Sequence, residues 1–217
     1  LPWHAHADRP DVTAFPLKTL RMKQYSEACE ENKDPILTVL RHEFAGCRAV
    51  LEIGSGTGQH AVYFSGHLPH LTWQPSDLAV HHASIDAWRR EAALPNLLSP
   101  LLLDVTGEDW PPCRFDGVFS ANTTHIMAWP AVVAMFAGIA KLLKPGGIFC
   151  LYGPFNYNRK YTSDSNARFD QWLKQRNPQS GLRNFGDLDA LAGANGLDLV
   201  QDYAMPVNNR LLVWRSR

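Results

Sequence analysis

The run Val50-Leu51-Glu52-Ile53-Gly54-Ser55-Gly56-Thr57-Gly58-Gln59-His60 constrains the chain more than any other stretch. Val50, Leu51 and Ile53 are bulky apolar residues that lead straight into glycines, the pattern of a short parallel strand buried on both faces. Gly54, Gly56 and Gly58 then remove three Cβ atoms within five residues. Such a turn tolerates positive φ and lets a ligand lie close to the backbone. Gln59 and His60 read as the first turn of a helix, whose free N–H groups and partial positive charge suit an anionic group. Strand, glycine turn and helix in this order predict one βα unit of an α/β sheet with a cofactor at its carboxyl end. The plainer alternative is a turn that only closes the unit.

Spacing separates two cofactor classes. The dinucleotide fingerprint G-x-G-x-x-G/A needs a third small residue where Gln59 stands, and the glycines fall instead as E-x-G-x-G-x-G. At these residues the chain resembles the class I S-adenosylmethionine-dependent methyltransferases. The resemblance implies that Gly54, Ser55, Gly56 and Gly58 pack under the methionine part of S-adenosylmethionine, with Glu52 near its amino group. Asp77 stands roughly 20 residues beyond Gly58, the offset at which an acidic side chain meets a ribose. A carboxylate there accepts from two adjacent hydroxyls, although an Asp in this place also reads as a helix cap. Pro100 to Val105 reads as a strand. By resemblance Asp104 takes the adenine amino group and the Val105 N–H serves the ring, the alternative being an Asp that merely starts a loop.

Phe115-Asp116-Gly117-Val118 resembles the F-D-x-V strand of the same family. The polar residues after it, Asn122 and His125, are the candidates nearest the methyl donor, Asn122 also as a cofactor contact. A histidine titrates near neutrality and suits a general base, yet a single histidine without a visible partner equally suits a structural or binding role. Trp129-Pro130 opens a helix that Pro145-Gly146-Gly147 stops, and Leu142-Leu143-Lys144-Pro145-Gly146-Gly147 before the strand Ile148 to Tyr152 is a further methyltransferase hallmark.

Two segments carry a narrower resemblance, to the DUF938 or methyltransferase-like 26 group. The first is Tyr25-Ser26-Glu27-Ala28-Cys29-Glu30-Glu31-Asn32-Lys33-Asp34-Pro35, and the second is Tyr152-Gly153-Pro154-Phe155-Asn156 followed by Tyr161-Thr162-Ser163-Asp164-Ser165-Asn166. By that resemblance Tyr25, Asn32 and Lys33 form a lid over the cofactor, unless they are solvated residues ahead of a helix capped by Asp34 with Pro35 at its first position. Tyr152, Asn156, Tyr161 and Asn166 are substrate-pocket candidates, because loops at this end of a sheet set substrate choice. The competing reading is a loop whose polar groups satisfy one another.

Helices follow at 166–176, burying Phe169, Trp172 and Leu173, and after an Asp187 cap. Leu197 to Ala204 and Arg210 to Trp214 read as an antiparallel hairpin, since five intervening residues are too few for a parallel crossover. The expected fold is a Rossmann-like, doubly wound α/β domain over residues 22–217, with a seven-stranded mixed sheet closed by that hairpin. Residues 1–21, with three prolines and no periodicity, read as a poorly ordered extension ahead of Met22.

Lys plus Arg and Asp plus Glu balance at 21 each, so no net basic field draws nucleic acid or an anionic membrane. Cys29, Cys47, Cys113 and Cys150 show no C-x-x-C spacing, and no metal is expected. No apolar run reaches the ~20 residues of a membrane span, and a soluble cytoplasmic protein is expected. The implied activity is methyl transfer from S-adenosylmethionine to a small-molecule acceptor. Its rivals are a non-catalytic S-adenosylmethionine-binding scaffold or partner subunit and a nicotinamide-dependent oxidoreductase.

Overall fold

In the computed structural model, which describes residues 23–217, neighbouring apolar residues of the predicted strands fall on opposite faces of one sheet. Val50, Phe119, Cys150 and Val213 join one core, while Leu51, Val118, Phe149 and Leu212 join the other. Near-continuous apolar strands dictate this, because a strand of period two buries every residue only when both faces are covered. The expected tail, residues 1–21, lies outside the described residues.

The elements run α1 (Glu27–Glu43), β1 (Ala49–Ile53), α2 (Gln59–His67), β2 (Thr72–Asp77), α3 (Ala79–Ala92), β3 (Leu101–Leu102), β4 (Phe115–Ala121), α4 (Trp129–Leu142), β5 (Leu143–Gly153), β6 (Phe155–Asn156), α5 (Asp164–Arg176), β7 (Arg183–Asn184), α6 (Phe185–Ala194), β8 (Leu197–Ala204) and β9 (Arg210–Ser216). Seven strands form a mixed sheet of order β3-β2-β1-β4-β5-β9-β8. The five from β3 to β5 are parallel, and β9 runs antiparallel to both β5 and β8. The predicted doubly wound sheet with its terminal hairpin is therefore the observed one. Ile36, Leu40 and Phe64 of α1 and α2 cover one face; Phe136, Ile139 and Leu188 of α4 and α6 cover the other. Strand order reverses between β1 and β4, the place where such sheets open a crevice at their carboxyl ends.

Several boundaries differ from the sequence expectation. Asp34 does not start a helix: α1 begins at Glu27 and carries Pro35 inside it. Glu27 and Glu30 suit the positive end of the helix, and Gln59 ties the early turn down, its Oε1 accepting from Ser26 N and its Nε2 donating to Glu30. Those bonds carry the helix through a proline that costs it one backbone hydrogen bond. β2 likewise passes through Pro75 to Asp77. Alternation places Pro75 on the β3 side, between the bonds Leu98 N to Trp73 O and Leu103 N to Asp77 O, so no ladder bond is lost. β3 keeps only two residues of the expected six because it pairs only with Ser76 and Asp77 at the sheet edge.

The loop after β5 holds β6, which pairs with β7 in a small parallel sheet. Asn184 rather than Asp187 precedes α6. Trp172 is exposed rather than buried, stacked on Phe169 and lying under the Arg176 guanidinium.

Candidate functional site

The loops that leave the five parallel strands line a cavity of about 840 Å³, a size typical of small-molecule sites, which span ~300–1,000 Å³. In sheet order its floor is Leu103 to Thr106, Asp77 and Leu78, Gly54 to Thr57, Ala121 to Thr123, then Tyr152 and Pro154. α1, α5 and the turn between β8 and β9 close the remaining sides.

The three glycines serve different ends. A Cβ on Gly54 would stand 2.4 Å from Thr123 Cγ2, and one on Gly58 would stand 2.8 Å from Ile85 Cα. Both positions are bare so that the turn can pack against the loop after β4 and against α3. A Cβ on Gly56 meets nothing within 4 Å, and there the naked backbone faces open space on the cavity wall. Asp77 fixes this residue: its Oδ2 accepts from Gly56 N at 2.7 Å and its Oδ1 from Leu78 N at 2.7 Å. Each carboxylate oxygen accepts more than one bond, so capacity remains. Both sequence readings of Asp77 touch the result, since it lines the cavity while also bonding the residue that precedes α3.

Glu52 lies beneath the turn, buried and behind the wall. Its Oε2 accepts from Ser55 Oγ at 2.9 Å and from Trp73 Nε1 at 3.0 Å. Loss of water pushes its pKa up to about 7, against the pull of those two donors. Ser55 is on the wall and also accepts from Ser76 N. Asp104 and Val105 line the far end. Asp104 Oδ1 takes both the hydroxyl and the N–H of Thr106, which lowers its pKa.

At the other end Asn122, in a left-handed conformation at φ 59°, follows β4 and donates its N–H to Tyr152 O. His125 is buried on the wall, edge-on to Phe169 at 5.3 Å. Burial, with a lesser push from Arg183, holds its pKa down at about 4, so the ring is neutral at physiological pH. Arg183 is itself committed to the carbonyls of Thr124, Met127 and Gln179. Asn166 and Tyr152 also reach the wall, where Tyr152 OH accepts from Asn209 Nδ2 at 2.9 Å.

Asn32 lines the cavity from α1 and is buried, with Oδ1 accepting from His60 Nε2 at 2.7 Å. Six other candidates lie off the wall. Tyr25 is 62% exposed. Lys33 pairs with Glu30 and sits over the Tyr63 ring. Glu52 and Gly58 support the turn from below. Asn156 belongs to the small sheet, and Tyr161 donates to Asp170 at 2.6 Å.

Sequence reasoning passed over His60, Phe169, Val207 and Asn209. His60 had a signal, a polar residue beside Ala61 and Phe64 on the inward side of α2. Val207 and Asn209 had none, because only the return of the hairpin brings them to the wall.

The sheet order and the crevice at its switch point define a class I methyltransferase fold. Solved structures of that fold include an O-methyltransferase family protein from Burkholderia thailandensis (17% identity, TM-score 0.76, covering 85% of this chain and 56% of that one). An O-methyltransferase family 2 protein from Planctomyces limnophilus, in complex with apigenin, matches at 13% identity and TM-score 0.78 over 88% of this chain and 58% of that one. Human N-acetylserotonin methyltransferase, in complex with SAM, matches at 15% identity and TM-score 0.72 over 88% and 53%. The chain thus spans little more than half the length of these proteins. The model of DUF938, a family described as of unknown function, matches residues 23–216, and the chain belongs to that family.

Proposed function

We propose that this protein transfers a methyl group from S-adenosylmethionine to a small-molecule acceptor. The observation that carries the reading is the chemistry of the floor: open backbone at Gly56 bonded to the Asp77 carboxylate, a second carboxylate at Asp104 further along the wall, and no Lys or Arg among the described residues that line the cavity. A cationic sulfonium compound suits an acidic wall, whereas a dinucleotide would bring two phosphates to it. The O-methyltransferase family proteins among the structural neighbours support the same choice. The runs at 25–35 and 152–166 support the methyltransferase-like 26 type, and we place the activity in the cytoplasm; no described helix is long and apolar enough to cross a membrane.

The donor supplies an already activated methyl group, so the chain's work is positioning and water exclusion. Asp77 accepts from the ribose hydroxyls. Asp104 accepts from the adenine amino group while Val105 N–H serves the ring. Gly54 to Gly56 would receive the methionine part, and Glu52, beneath the turn, holds the Ser55 hydroxyl in place under it. Asn32 and Asn122 border the reacting end, where Tyr152 and Asn166 orient the acceptor. His125, neutral and buried beside the acceptor's place, would accept the proton that the acceptor gives up.

Titration calorimetry tests the reading. S-adenosylhomocysteine is expected to bind at one site per chain in the micromolar range, and NAD is not. Binding of NAD alone would end the proposal. Tight S-adenosylhomocysteine binding without cofactor consumption across broad metabolite extracts would favour the scaffold instead.

A further inference from the structure

The two ends of the cavity differ in charge, and the difference bears on the acceptor. The carboxylates of Asp77 and Asp104 stand at the β2 and β3 end. Beyond Asn122 the wall is built from Ile126, Met127, Pro154, Phe169, Pro206 and Val207. Its polar members, Asn166, Asn209, Tyr152 and His125, are uncharged at neutral pH, and among the described residues Glu31 is the only ionisable carboxylate on that side. No described Lys or Arg lines it, and the guanidinium that acts on His125 is occupied by three backbone carbonyls.

An anion placed here would lose its hydration with nothing to replace it, and an unpaired buried charge is among the costliest things a protein can hold. A flat apolar body, by contrast, meets an aromatic ring, a thioether and two prolines, surfaces that suit it. Among the described residues neither ring nitrogen of His125 has a hydrogen-bond partner, so the neutral ring can accept a hydrogen bond from a hydroxyl. Resting on the S-adenosylmethionine reading of the same cavity, we infer that the acceptor is an uncharged molecule with a flat apolar body and a hydroxyl, held between Phe169 and the 206–209 turn, and that carboxylated or phosphorylated analogues are rejected.

Val207 marks the outer side of that chamber. It is 76% exposed and sits at φ 58°, a conformation that a β-branched side chain resists. A lysine there is no worse for the backbone and would bring a cation to the wall.

Two hydroxynaphthalenes that differ in one carboxylate make the test: 2-naphthol and 6-hydroxy-2-naphthoate, titrated by calorimetry into the full chain saturated with S-adenosylhomocysteine at pH 7.5. The naphthol is expected to bind at least tenfold more tightly than the naphthoate. In Val207→Lys the gap should narrow at least threefold while S-adenosylhomocysteine affinity stays the same, which also reports a folded variant. If S-adenosylhomocysteine itself does not bind, the cofactor reading falls and takes this inference with it. If it binds but the naphthoate equals or exceeds the naphthol, or neither binds, the acceptor class is wrong and the cofactor reading survives. An unchanged gap in Val207→Lys overturns the placement of the acceptor against the turn.

Discussion

Glu52 is a buried carboxyl group with two donors, both on one oxygen, and this makes Glu52→Gln a sharp test of the electrostatics under the glycine turn. Burial raises its pKa from 4.5 to about 7. The native state therefore binds a proton that the unfolded chain has released, and stability falls as pH rises from 4.5 to 7, staying reduced above that. At 1.36 kcal/mol per unit the ionised group costs the fold ~3 kcal/mol at pH 8. Gln keeps an oxygen for Ser55 Oγ and Trp73 Nε1 and carries no charge. Glu52→Gln is thus expected to gain about 3 kcal/mol at pH 8, roughly 6–12 °C in melting temperature for a chain of this size. The gain should fade to nothing below pH 4.5.

His60 and His125 act with the opposite sign. Burial holds both near 4, so each costs stability as pH falls from 6.5 towards 4, and Glu52 partly offsets them in wild type. The variant should accordingly show a steeper acid limb. Thermal melts at half-unit steps from pH 4 to 9 read all of this. A variant that melts with or below wild type at pH 8 would refute the argument, because it would mean that the folded state does not penalise the ionised Glu52 carboxylate.

The cavity wall itself supplies the remaining tests. Gly54→Ala drives a Cβ into Thr123 at positive φ and should cost ~2–3 kcal/mol in chemical denaturation. Gly56→Ala, with open space before it, should cost about 1 kcal/mol yet weaken S-adenosylhomocysteine at least tenfold by calorimetry. Asp77→Asn, which surrenders charge at the ribose position, should lower the same affinity by about 10–100-fold, in line with ~1.5–3 kcal/mol for a charged hydrogen bond. Once an acceptor is known, the rate should stay level above about pH 5 and fall as His125 protonates towards pH 4, and His125→Ala should lower kcat by roughly 10²–10⁴.

The parts of this molecule that short-range patterns specify were legible in the chain. The glycine turn, the apolar strands on either side of it, the helix from Trp129 to its stop and the final hairpin each declare themselves within about twenty residues, and together they define the sheet. What stayed hidden depends on partners far away in sequence. Asp34-Pro35 has the local signature of a helix start, but Ser26 and Glu30 are held by Gln59 across the fold, and packing overrides the signature.

α5 makes the same point through hydropathy. Spacing put Phe169, Trp172 and Leu173 inside; the structure buries Asn166, Asp170 and Leu173. Asp170 earns that place by accepting from Tyr161 Oη, Lys174 Nζ and Leu182 N, three bonds that satisfy a buried carboxylate and anchor the helix that carries Asn166 and Phe169 to the cavity. The apolar residues left over, Phe169 and the stacked Trp172, lie on the cavity wall and the surface. A periodicity argument assumes that apolar side chains serve the core and polar ones the solvent, and it fails where a polar network holds the helix and an apolar ring serves the ligand. The mismatch in α5 is therefore itself a marker of the site, and it falls on the chamber where the acceptor is placed.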